Sequence, residues 1–512
     1  MTTAPHKTDD PATLISTQLT DGVLVATIDM PGRRMNVFSW ALMDALGALI
    51  DRIATDGTVG SAVITSGKSS FLAGADLDMV RGFTTAATTL SRDELRAMTG
   101  RLGRLFVRLE ALAKPTVAAI NGLAFGGGLE LTMACTCRIV ADSPDVQLGT
   151  PEILLGLLPG AGGTQRLPRL IGTDKGLEYL LSGRSIAPQE ALAWGLVDEL
   201  LPPPELLARA SVRASELAMS RRRRDLKKKL DPKPFDFAAP DIVQTIADHY
   251  GYPAAVTQRY PAYHAIIRAV IGGAALQIGK GSDHEIECFM DLIGDPTAGR
   301  MITTLFIDRQ RADKLTAPFA RAGTPSVVML ANGPAAQQLT VAFAKASIGL
   351  LPPRAAATAD MVIVSPHQQR GDGNKFVLLQ SPQERVSAAS GIYVRGSPTL
   401  GTAMEIVLPD GDEEARARAL TLAAKLRATP FIRRGATSFL ANLVEADNKA
   451  RAAGLDDDGA VMAMSEAAVR FALREDIGDK ALADVAAVVS GIFPAYAGGP
   501  FATANRAGSK KA

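Results

Sequence analysis

The sequence has few cysteines and almost no net charge, and each scarcity excludes a class of protein. Three cysteines in 512 residues favour a reducing compartment. The 55 lysines and arginines nearly balance the 53 aspartates and glutamates, so the formal charge of +2 gives no general attraction to nucleic acid or to a membrane surface. The hydrophobic fraction of 47% and the charged fraction of 21% are those of an ordinary globular protein.

Long apolar runs are also missing. No segment approaches the roughly 18 uninterrupted apolar residues that a membrane helix needs, and residues 1–16 lack the apolar run of a signal peptide. We therefore expect a cytoplasmic protein without an integral membrane segment. Cys135 and Cys137 lie in an apolar run without a second cysteine pair or a histidine cluster, so we expect core residues and no metal site.

The length of the chain predicts two to four folding units rather than one core. Strand-like patterns at residues 16–30, 61–66 and 117–120 alternate with helical patterns, such as the one that begins near Leu102 and that Pro115 should stop. This alternation predicts an α/β fold.

A glycine triplet, Gly126–Gly128, opens an apolar helical pattern near the middle of the first half. Glycines let backbone N–H groups approach a ligand closely, and the start of a helix has unpaired N–H donors. Such a place can stabilise an oxygen that becomes negative during a reaction. We expect an oxyanion hole formed by the N–H of Gly127 and the N–H of Ala75, which lies in the segment FLAGADL. The alternative is a glycine-rich turn that merely packs closely against a neighbour.

Two acidic residues stand in otherwise apolar segments close to this triplet. Glu130 lies in the first turn of the predicted helix, and Glu152 follows a β-like run at Asp145–Gly149. Apolar surroundings raise the pKa of a carboxyl group. Two such groups in slightly different surroundings can divide into an acid and a base. We predict that Glu130 and Glu152 are a catalytic pair.

These residues resemble the crotonase (enoyl-CoA hydratase/isomerase) superfamily. The stretch TPEILLGLLPGAGGTQRLPRLIG, residues 150–172, is similar to the hydratase half of the alpha subunit of the mitochondrial trifunctional enzyme and its bacterial counterparts. The resemblance covers residues 15–310 well and continues as a shortened, degenerate 3-hydroxyacyl-CoA dehydrogenase half. It implies repeated ββα units, trimer-forming helices and CoA thioesters as ligands.

The resemblance also implies roles for the site residues. Glu130 holds and deprotonates water, Glu152 delivers a proton to C2 of a 2-enoyl-CoA, and the amides of Ala75 and Gly127 hold the thioester oxygen. No metal or redox cofactor is needed. The residues expected to line the substrate are Ala73, Gly74, Asp76, Leu77, Gly126, Pro151 and Gly160. For Asp76 the alternative is a turn or cap aspartate.

In the second half, Ser326–Leu339 occupies the place of the first strand, glycine loop and helix of a dinucleotide-binding domain. Such a loop needs G-x-G-x-x-G or A, so that its backbone can press against a pyrophosphate. The matching positions are Ala331, Gly333 and Ala336, and Pro334 stiffens the loop. No acid follows some 20 residues later to hold the ribose. We therefore predict that NAD binding is lost.

The predicted catalytic dyad of the dehydrogenase half is also altered. Tyr393 stands where the family has a histidine, although the partner acid remains as Glu405. Tyrosine, with an unperturbed pKa near ~10, does not easily remove an alcohol proton at neutral pH. We expect this half to be inactive, and we interpret His367 as a surface histidine.

The resemblance divides the chain into four parts. They are a crotonase core (1–200), crotonase C-terminal helices and a linker helix (201–315), a degenerate nucleotide-binding-like domain (316–435) and a small helical domain (436–512). The spacing of Ile266, Val270 and Leu276 suits a linker helix that lies in a groove of the first domain. The basic run 221–234 is interpreted as a mobile linker, with contact to CoA phosphates or to anionic lipid as the alternatives.

The expected reaction is reversible hydration of a trans-2-enoyl-CoA to a 3-hydroxyacyl-CoA, as in β-oxidation. The alternatives are another crotonase-type reaction, such as enoyl-CoA isomerisation or C–C bond cleavage, and a non-catalytic scaffold subunit of a β-oxidation complex. Expected partners are an acyl-CoA substrate, further copies of the chain, as in a trimer, and a thiolase.

Overall fold

The computed structural model describes residues 10–220, 230–364, 375–381, 383–386, 390–397, 399–408 and 412–509. The chain forms two compact units, Met1–Gly299 and Arg300–Ala512. Residues 221–229 of the basic run and His367 lie outside the described residues, so the interpretations given for them stay predictions. The four-part division of the chain stays a prediction as well.

The first unit contains a six-stranded sheet and a two-stranded sheet, most of whose strands are joined by helices. Its strands are β1 (Ile15–Thr20), β2 (Val23–Ile28), β3 (Ser61–Ser66), β4 (Thr116–Ile120), β5 (Ala124–Phe125), β6 (Cys137–Ala141), β7 (Leu148–Gly149) and β8 (Glu199–Leu201). The strand order of the larger sheet is β1-β2-β3-β4-β6-β8, and β5 pairs with β7. All pairs are parallel except β1 with β2.

Helices precede, connect and follow these strands. They are α1 (Pro11–Leu14), α2 (Trp40–Thr55), α3 (Leu77–Thr89), α4 (Arg92–Thr99), α5 (Arg101–Glu110), α6 (Gly127–Ala134), α7 (Gly163–Ile171), α8 (Thr173–Ser182), α9 (Pro188–Ala193), α10 (Leu206–Ser220), α11 (Ile242–His249), α12 (Ala254–Thr257), α13 (Ala262–Gly273), α14 (Ile278–Ile293) and α15 (Pro296–Met301). Short 3-10 helices occupy Pro151–Leu155 and Pro203–Glu205.

The central strands β3, β4 and β6 are buried along their whole length. Parallel strands that are covered on both faces need such continuous apolar runs. Because β3 and β4 are parallel neighbours, their carboxyl ends lie at the same edge of the sheet, where ligands of open α/β sheets bind. The segment FLAGADL follows β3 and the glycine triplet follows β4, so both predicted halves of the oxyanion hole begin at this edge.

The predicted strands at 61–66 and 117–120 are confirmed, and residues 16–30 form the hairpin β1–β2. The prediction that Pro115 stops the helix from Leu102 was wrong, because α5 already ends at Glu110. There the chain tightens, since the N–H of Leu112 donates to the carbonyl of Leu109 at 3.3 Å. The proline therefore lies in the connection to β4.

The predicted linker helix is interrupted. Ile266 and Val270 are buried in α13, but α13 ends at Gly273. Leu276 lies in the turn before α14 and is 39% exposed, so the prediction that it continues the buried face was wrong. The stretch therefore supplies two packed helices, and the second one, α14, contacts α4, α5 and α7.

The second unit has a seven-stranded sheet of order β10-β9-β11-β12-β13-β14-β15, in which only β13 and β14 pair antiparallel. The strands are β9 (Val327–Met329), β10 (Leu350–Leu351), β11 (Met361–Val364), β12 (Lys375–Leu378), β13 (Ser390–Ser397), β14 (Gly401–Leu408) and β15 (Thr429–Arg434). The α-helices are α16 (Arg309–Thr316), α17 (Pro334–Lys345), α18 (Glu413–Leu426), α19 (Phe439–Ala452), α20 (Asp457–Ala472), α21 (Lys480–Val489) and α22 (Pro500–Ser509), with a π-helix at Ile302–Asp308 and 3-10 turns at Ala317–Phe319, Pro353–Ala355 and Ala495–Ala497.

Apolar side chains of α17 and α18 pack on this mainly parallel sheet to form a core, which contains Leu339, Phe343, Met361 and Leu420. The last four helices, α19 to α22, follow the sheet in sequence. The expected α/β fold with a helical C-terminal region is therefore confirmed, and the mainly parallel sheet of the second unit is compatible with the expected Rossmann-like domain.

Candidate active site

The glycine triplet forms a tight entry into α6. Gly126 has φ +53° and its N–H donates to the carbonyl of Gly149 at 2.8 Å. L-residues with side chains rarely adopt this backbone conformation. A methyl group on Gly128 would lie 2.2 Å from the carbonyl oxygen of Leu72, so the backbones of α6 and the FLAGADL segment are in direct contact. Gly127, between these two positions, is the first residue of α6.

The FLAGADL segment is fixed beside this entry by backbone hydrogen bonds. Leu72 donates to the carbonyl of Leu123 at 3.1 Å and accepts from the N–H of Phe125 at 3.0 Å. A methyl group on Gly74 (φ +89°) would lie 3.3 Å from the carbonyl oxygen of Phe125, which shows how closely the two segments approach each other. Ala75 follows this contact in the FLAGADL segment, and Gly127 follows it in the segment that enters α6.

The backbone amides of Ala75 and Gly127 are hydrogen-bond donors that stay available to a ligand. Within the described part of the chain, neither N–H has a recorded hydrogen-bond partner. The neighbouring amides are used, because Ala73 donates to the carbonyl of Asn36 at 2.9 Å and Asp76 donates to that of Phe38 at 2.8 Å. Two unpartnered amides beside a helix start form a site that can stabilise a developing negative oxygen.

Glu130 lies in the first turn of α6 and is 2% exposed. Its Oε1 accepts hydrogen bonds from the amides of Ala161 at 2.8 Å and Gly163 at 2.7 Å. No partner of Oε2 is recorded among the described residues, so this oxygen is available to take a proton. Burial raises the pKa of Glu130 to about 6, against the opposing effects of the two amides and of the Arg166 charge.

Glu152 lies against the glycine turn that opens α6. It lies in the 3-10 helix Pro151–Leu155, and a methyl group on Gly126 would lie 2.5 Å from its Oε1. Its Oε2 is enclosed and has no partner among the described residues. Burial, followed by the charges of Glu130 and Glu285, raises the pKa of Glu152 well above its ordinary value. Burial therefore favours the protonated form of Glu152, while the two amides and the Arg166 charge favour the ionised form of Glu130.

Arg166 is a charged residue of this site that sequence reasoning missed. It is fully buried, donates to Oε2 of Glu110 at 2.9 Å, and donates through Nη1 to the carbonyl of Ala161 at 3.1 Å. Its charge favours the ionised form of Glu130. Only a weak sequence signal pointed to it, because the helix after the double glycine also contains other polar residues, including a second arginine, Arg169.

The remaining predicted substrate residues are distributed around this pair. Asp76 forms an ion pair with Arg33 at 2.6 Å, which gives its carboxylate a structural role beside the oxyanion donor. Pro151 begins the 3-10 helix of Glu152, and Leu77 begins α3. Gly160 lies close to α14, since a methyl group there would lie 3.2 Å from the ring of Phe289. Contact of any of these residues with a substrate stays a prediction.

The predicted core position of Cys135 and Cys137 is confirmed, since they are 2% and 3% exposed. Across the described ranges, no group of three or more histidine, cysteine, aspartate or glutamate side chains could hold a metal ion. None of the helices in that same part of the chain is both long and apolar enough to cross a membrane.

Residues 18–239 match the family model for enoyl-CoA hydratase/isomerase. This part of the first unit is therefore similar to the enoyl-CoA hydratase/isomerase family, as the resemblance to crotonases predicted. This match includes both glutamates and both candidate oxyanion donors, and it ends before α11.

Curated relatives of the chain are alpha subunits of bacterial fatty acid oxidation complexes. The subunit from Shewanella amazonensis is 36% identical over 298 residues, which are 56% of this chain and 40% of the relative. The subunit from Idiomarina loihiensis is 38% identical over 290 residues, with the same two coverages. The chain therefore spans about two fifths of the length of these relatives.

Solved structures of related proteins include an enoyl-CoA hydratase from Bacillus anthracis and Pseudomonas aeruginosa DspI. The first is 26% identical, covers 59% of this chain and 96% of its own, and has a TM-score of 0.36. The second is 30% identical, covers 42% of this chain and 84% of its own, and has a TM-score of 0.37. Scores this low add nothing to the assignment.

In the second unit, the carboxylate of the acid in the predicted dehydrogenase dyad accepts hydrogen bonds from neighbouring protein groups. Glu405 lies opposite Tyr393 in the β13–β14 register and is fully buried. Its carboxylate accepts from Nε of Arg433 at 2.8 Å, from the hydroxyl of Ser438 at 2.7 Å, and from the amide of Phe439 at 2.8 Å. Burial raises the pKa of Tyr393, so this phenol does not provide a base near neutral pH.

The predicted dinucleotide loop follows β9 and enters α17 through Gly333, which has φ +94°. Gln380 lies against this loop, and its Nε2 donates to the carbonyl of Asn332 at 3.5 Å. A side chain therefore lies against the loop whose backbone would have to contact a pyrophosphate.

Proposed function

We propose that the first unit is an enoyl-CoA hydratase, which adds water across the 2,3 double bond of a 2-enoyl-CoA. The main support is one arrangement: the carboxyl groups of Glu130 and Glu152, in different surroundings, beside the unpartnered amides of Ala75 and Gly127. Addition of water needs a base and an acid at neighbouring carbons, and this pair can supply both, with Glu130 as the base and Glu152 as the acid.

In this mechanism the thioester oxygen accepts hydrogen bonds from the amides of Ala75 and Gly127. Each donor of this kind is typically worth about 3 kcal/mol of barrier. Oε2 of Glu130 takes a proton from water while the water oxygen bonds to C3. The proton on Glu152 passes to C2, which converts the enolate-like intermediate into the 3-hydroxyacyl-CoA. Proton exchange from Glu130 to Glu152 through solvent then restores the starting state.

The competing crotonase-type reactions use the same amide pair. Isomerisation moves a double bond and needs no water, so one carboxyl group can shuttle the proton between two carbons. Two carboxyl groups with different pKa values favour hydration, since they allow removal and delivery of protons at the same time. The family assignment is compatible with both, and an assay has to separate them.

Spectrophotometry distinguishes these reactions. A conjugated enoyl thioester absorbs light, and hydration of its double bond removes this absorbance. We expect loss of enoyl-thioester absorbance with crotonyl-CoA or with longer 2-enoyl-CoA substrates, and formation of 3-hydroxyacyl-CoA. No loss at any chain length, together with a gain of absorbance from a 3-enoyl-CoA, would instead establish an isomerase. C–C cleavage would be recognised by a shortened acyl product.

We further propose that the second unit has no dehydrogenase activity and does not bind NAD. Support comes from the ion pair that occupies Glu405, from the buried Tyr393, and from the altered loop around Gly333. The names of the curated relatives support membership in a fatty acid oxidation complex, which would make a thiolase a partner of this chain. Co-purification with the thiolase of the same cell tests that partner; a trimer and a cytoplasmic location stay predictions.

A further inference from the structure

A third buried glutamate lies next to the proposed base and is supplied by α14. Glu285 is 0% exposed. Its Oε1 accepts the amide of Gly162 at 2.5 Å, and its Oε2 accepts the amide of Thr164 at 2.9 Å as well as the hydroxyl of Thr164. Buried carboxyl groups are costly unless they are satisfied in this way.

The hydrogen bonds of Glu285 alternate along the chain with those of Glu130. Residues 161–164 present four successive amides: those of 161 and 163 donate to Glu130, and those of 162 and 164 donate to Glu285. These amides lie at and just before the start of α7, where helix N–H groups have no partner within the helix. Because each peptide unit is planar, the direction of one amide constrains its neighbours.

The surroundings leave this loop little room to adopt another orientation. A methyl group on Gly162 would lie 1.7 Å from Nη1 of Arg166, and one on Gly281 would lie 2.6 Å from Oε1 of Gln165. Gln165 in turn donates to the hydroxyl of Thr164 at 3.0 Å. The loop is therefore held between the side chain of Arg166 and helix α14. Glu285 is the carboxyl group that α14 contributes.

Resting on the proposed hydratase function, we infer that Glu285 is a positioning residue: it orients the loop 161–164 so that the amides of Ala161 and Gly163 hold Glu130 in the geometry of a base. Glu285 lies beyond residue 239, where the family match ends. The proposed base of the first unit thus depends on a helix outside the matched region.

Replacing Glu285 by glutamine removes one acceptor in either protonation state of the native carboxyl group. Burial and the charge of Glu130 raise the pKa of Glu285 to about 8, which favours its protonated form. The protonated group can still accept on both oxygens, and its O–H can donate a hydrogen bond to the Thr164 hydroxyl oxygen. A glutamine accepts on one oxygen only, so its NH2 group would face the amide of Gly162 or of Thr164.

The test compares full-length wild type with Glu285→Gln and with Glu287→Gln as the matched control. Glu287 lies on the same helix but pairs with Arg92 and Arg96 at the surface. We expect Glu285→Gln to lower kcat by about 100-fold through misplacement of the base. The KM should change less than about twofold, because the thioester amides are untouched. The control should match wild type.

A double-mutant comparison separates positioning from general damage. In a Glu130→Gln background, Glu285→Gln should change kcat little, because the group that it positions is already absent. Equal fold losses in both backgrounds would overturn the inference, as would a Glu285→Gln enzyme with wild-type kcat. If Glu285→Gln does not fold, Glu285→Asp replaces it with the same expectations, since the shorter side chain cannot reach both amides.

Amide hydrogen exchange gives a readout that does not depend on activity. Peptides that cover residues 157–167 should exchange faster in Glu285→Gln than in wild type and in Glu287→Gln, and unchanged exchange would overturn the inference. If the wild type hydrates no enoyl-CoA, the proposed function fails by itself, and the exchange experiment still decides whether Glu285 orders the loop.

Discussion

The rate of hydration should rise with pH through about 6, because Glu130 acts as a base only after it loses its proton. Burial raises the pKa of this carboxyl group to about 6, above its ordinary value of 4.5. The pKa of Glu152 is raised further by burial and by the Glu130 charge. The active form, with Glu130 ionised and Glu152 protonated, should therefore dominate between these two pKa values.

The size of the effect follows from single-proton titration. With a pKa of about 6 for Glu130, about one tenth of the enzyme has an ionised base one pH unit lower, so kcat/KM should fall to about one tenth of its plateau there. An unperturbed glutamate would still be mostly ionised at that pH. At high pH, kcat/KM should fall again as Glu152 loses its proton.

The assay is the initial rate of crotonyl-CoA hydration at low substrate concentration, since kcat/KM reports the free enzyme. Glu152→Gln should keep the acid limb near pH 6 at a much lower rate and lose the basic limb, because glutamine does not titrate. Constant kcat/KM between about pH 5 and pH 7 would refute the assignment of Glu130 as a buried base.

Three further outcomes are expected. Gly126→Ala should lower kcat strongly while the chain still folds, because its methyl group would lie 2.5 Å from Oε1 of Glu152 at a φ of +53°; a wild-type rate would contradict the turn geometry. Arg433→Met should destabilise the second unit by roughly 3–5 kcal/mol in urea unfolding, because Glu405 is left buried without its counter-ion; an unchanged unfolding midpoint would argue against this ion pair. Titration with NADH should show no saturable fluorescence change, and 3-hydroxyacyl-CoA with NAD should yield no NADH, whereas either signal would restore the dehydrogenase interpretation.

Features determined by local sequence were the predictable ones. Glu130 follows a glycine triplet at a helix start, and Glu152 lies in an apolar segment, so the apolar surroundings of both could be predicted from local sequence, whereas their proposed roles come from the resemblance to crotonases. The strands β3 and β4 are continuous apolar runs between turns, and this pattern is typical of buried parallel strands.

Glu285 was not predictable, because its role arises from a contact across 123 residues of chain. In sequence it stands in an ordinary amphipathic helix beside Glu287, which is a surface residue. Only the packing of α14 against the start of α7 distinguishes the two. The end of α5 and the exposure of Leu276 were missed for a similar reason, since local turn geometry interrupted patterns that looked continuous.

Glu405, the acid of the predicted dehydrogenase dyad, has a structural role in the second unit. Its carboxylate is paired with Arg433 and lies at the start of α19, where Ser438 and the amide of Leu440 also donate to it. Removal of this acid would leave Arg433 buried without its carboxylate partner. Stability therefore accounts for an acid at this position, without dehydrogenase chemistry.

The most direct test of the central claim is the turnover of Glu130→Gln and Glu152→Gln with an enoyl-CoA that the wild type hydrates, with Glu287→Gln as the folded control. Each variant should lose about 10²–10⁴-fold in kcat, the usual contribution of a positioned acid or base. If both variants keep near-wild-type turnover, the two buried glutamates are not the acid and the base, and the proposed mechanism is wrong.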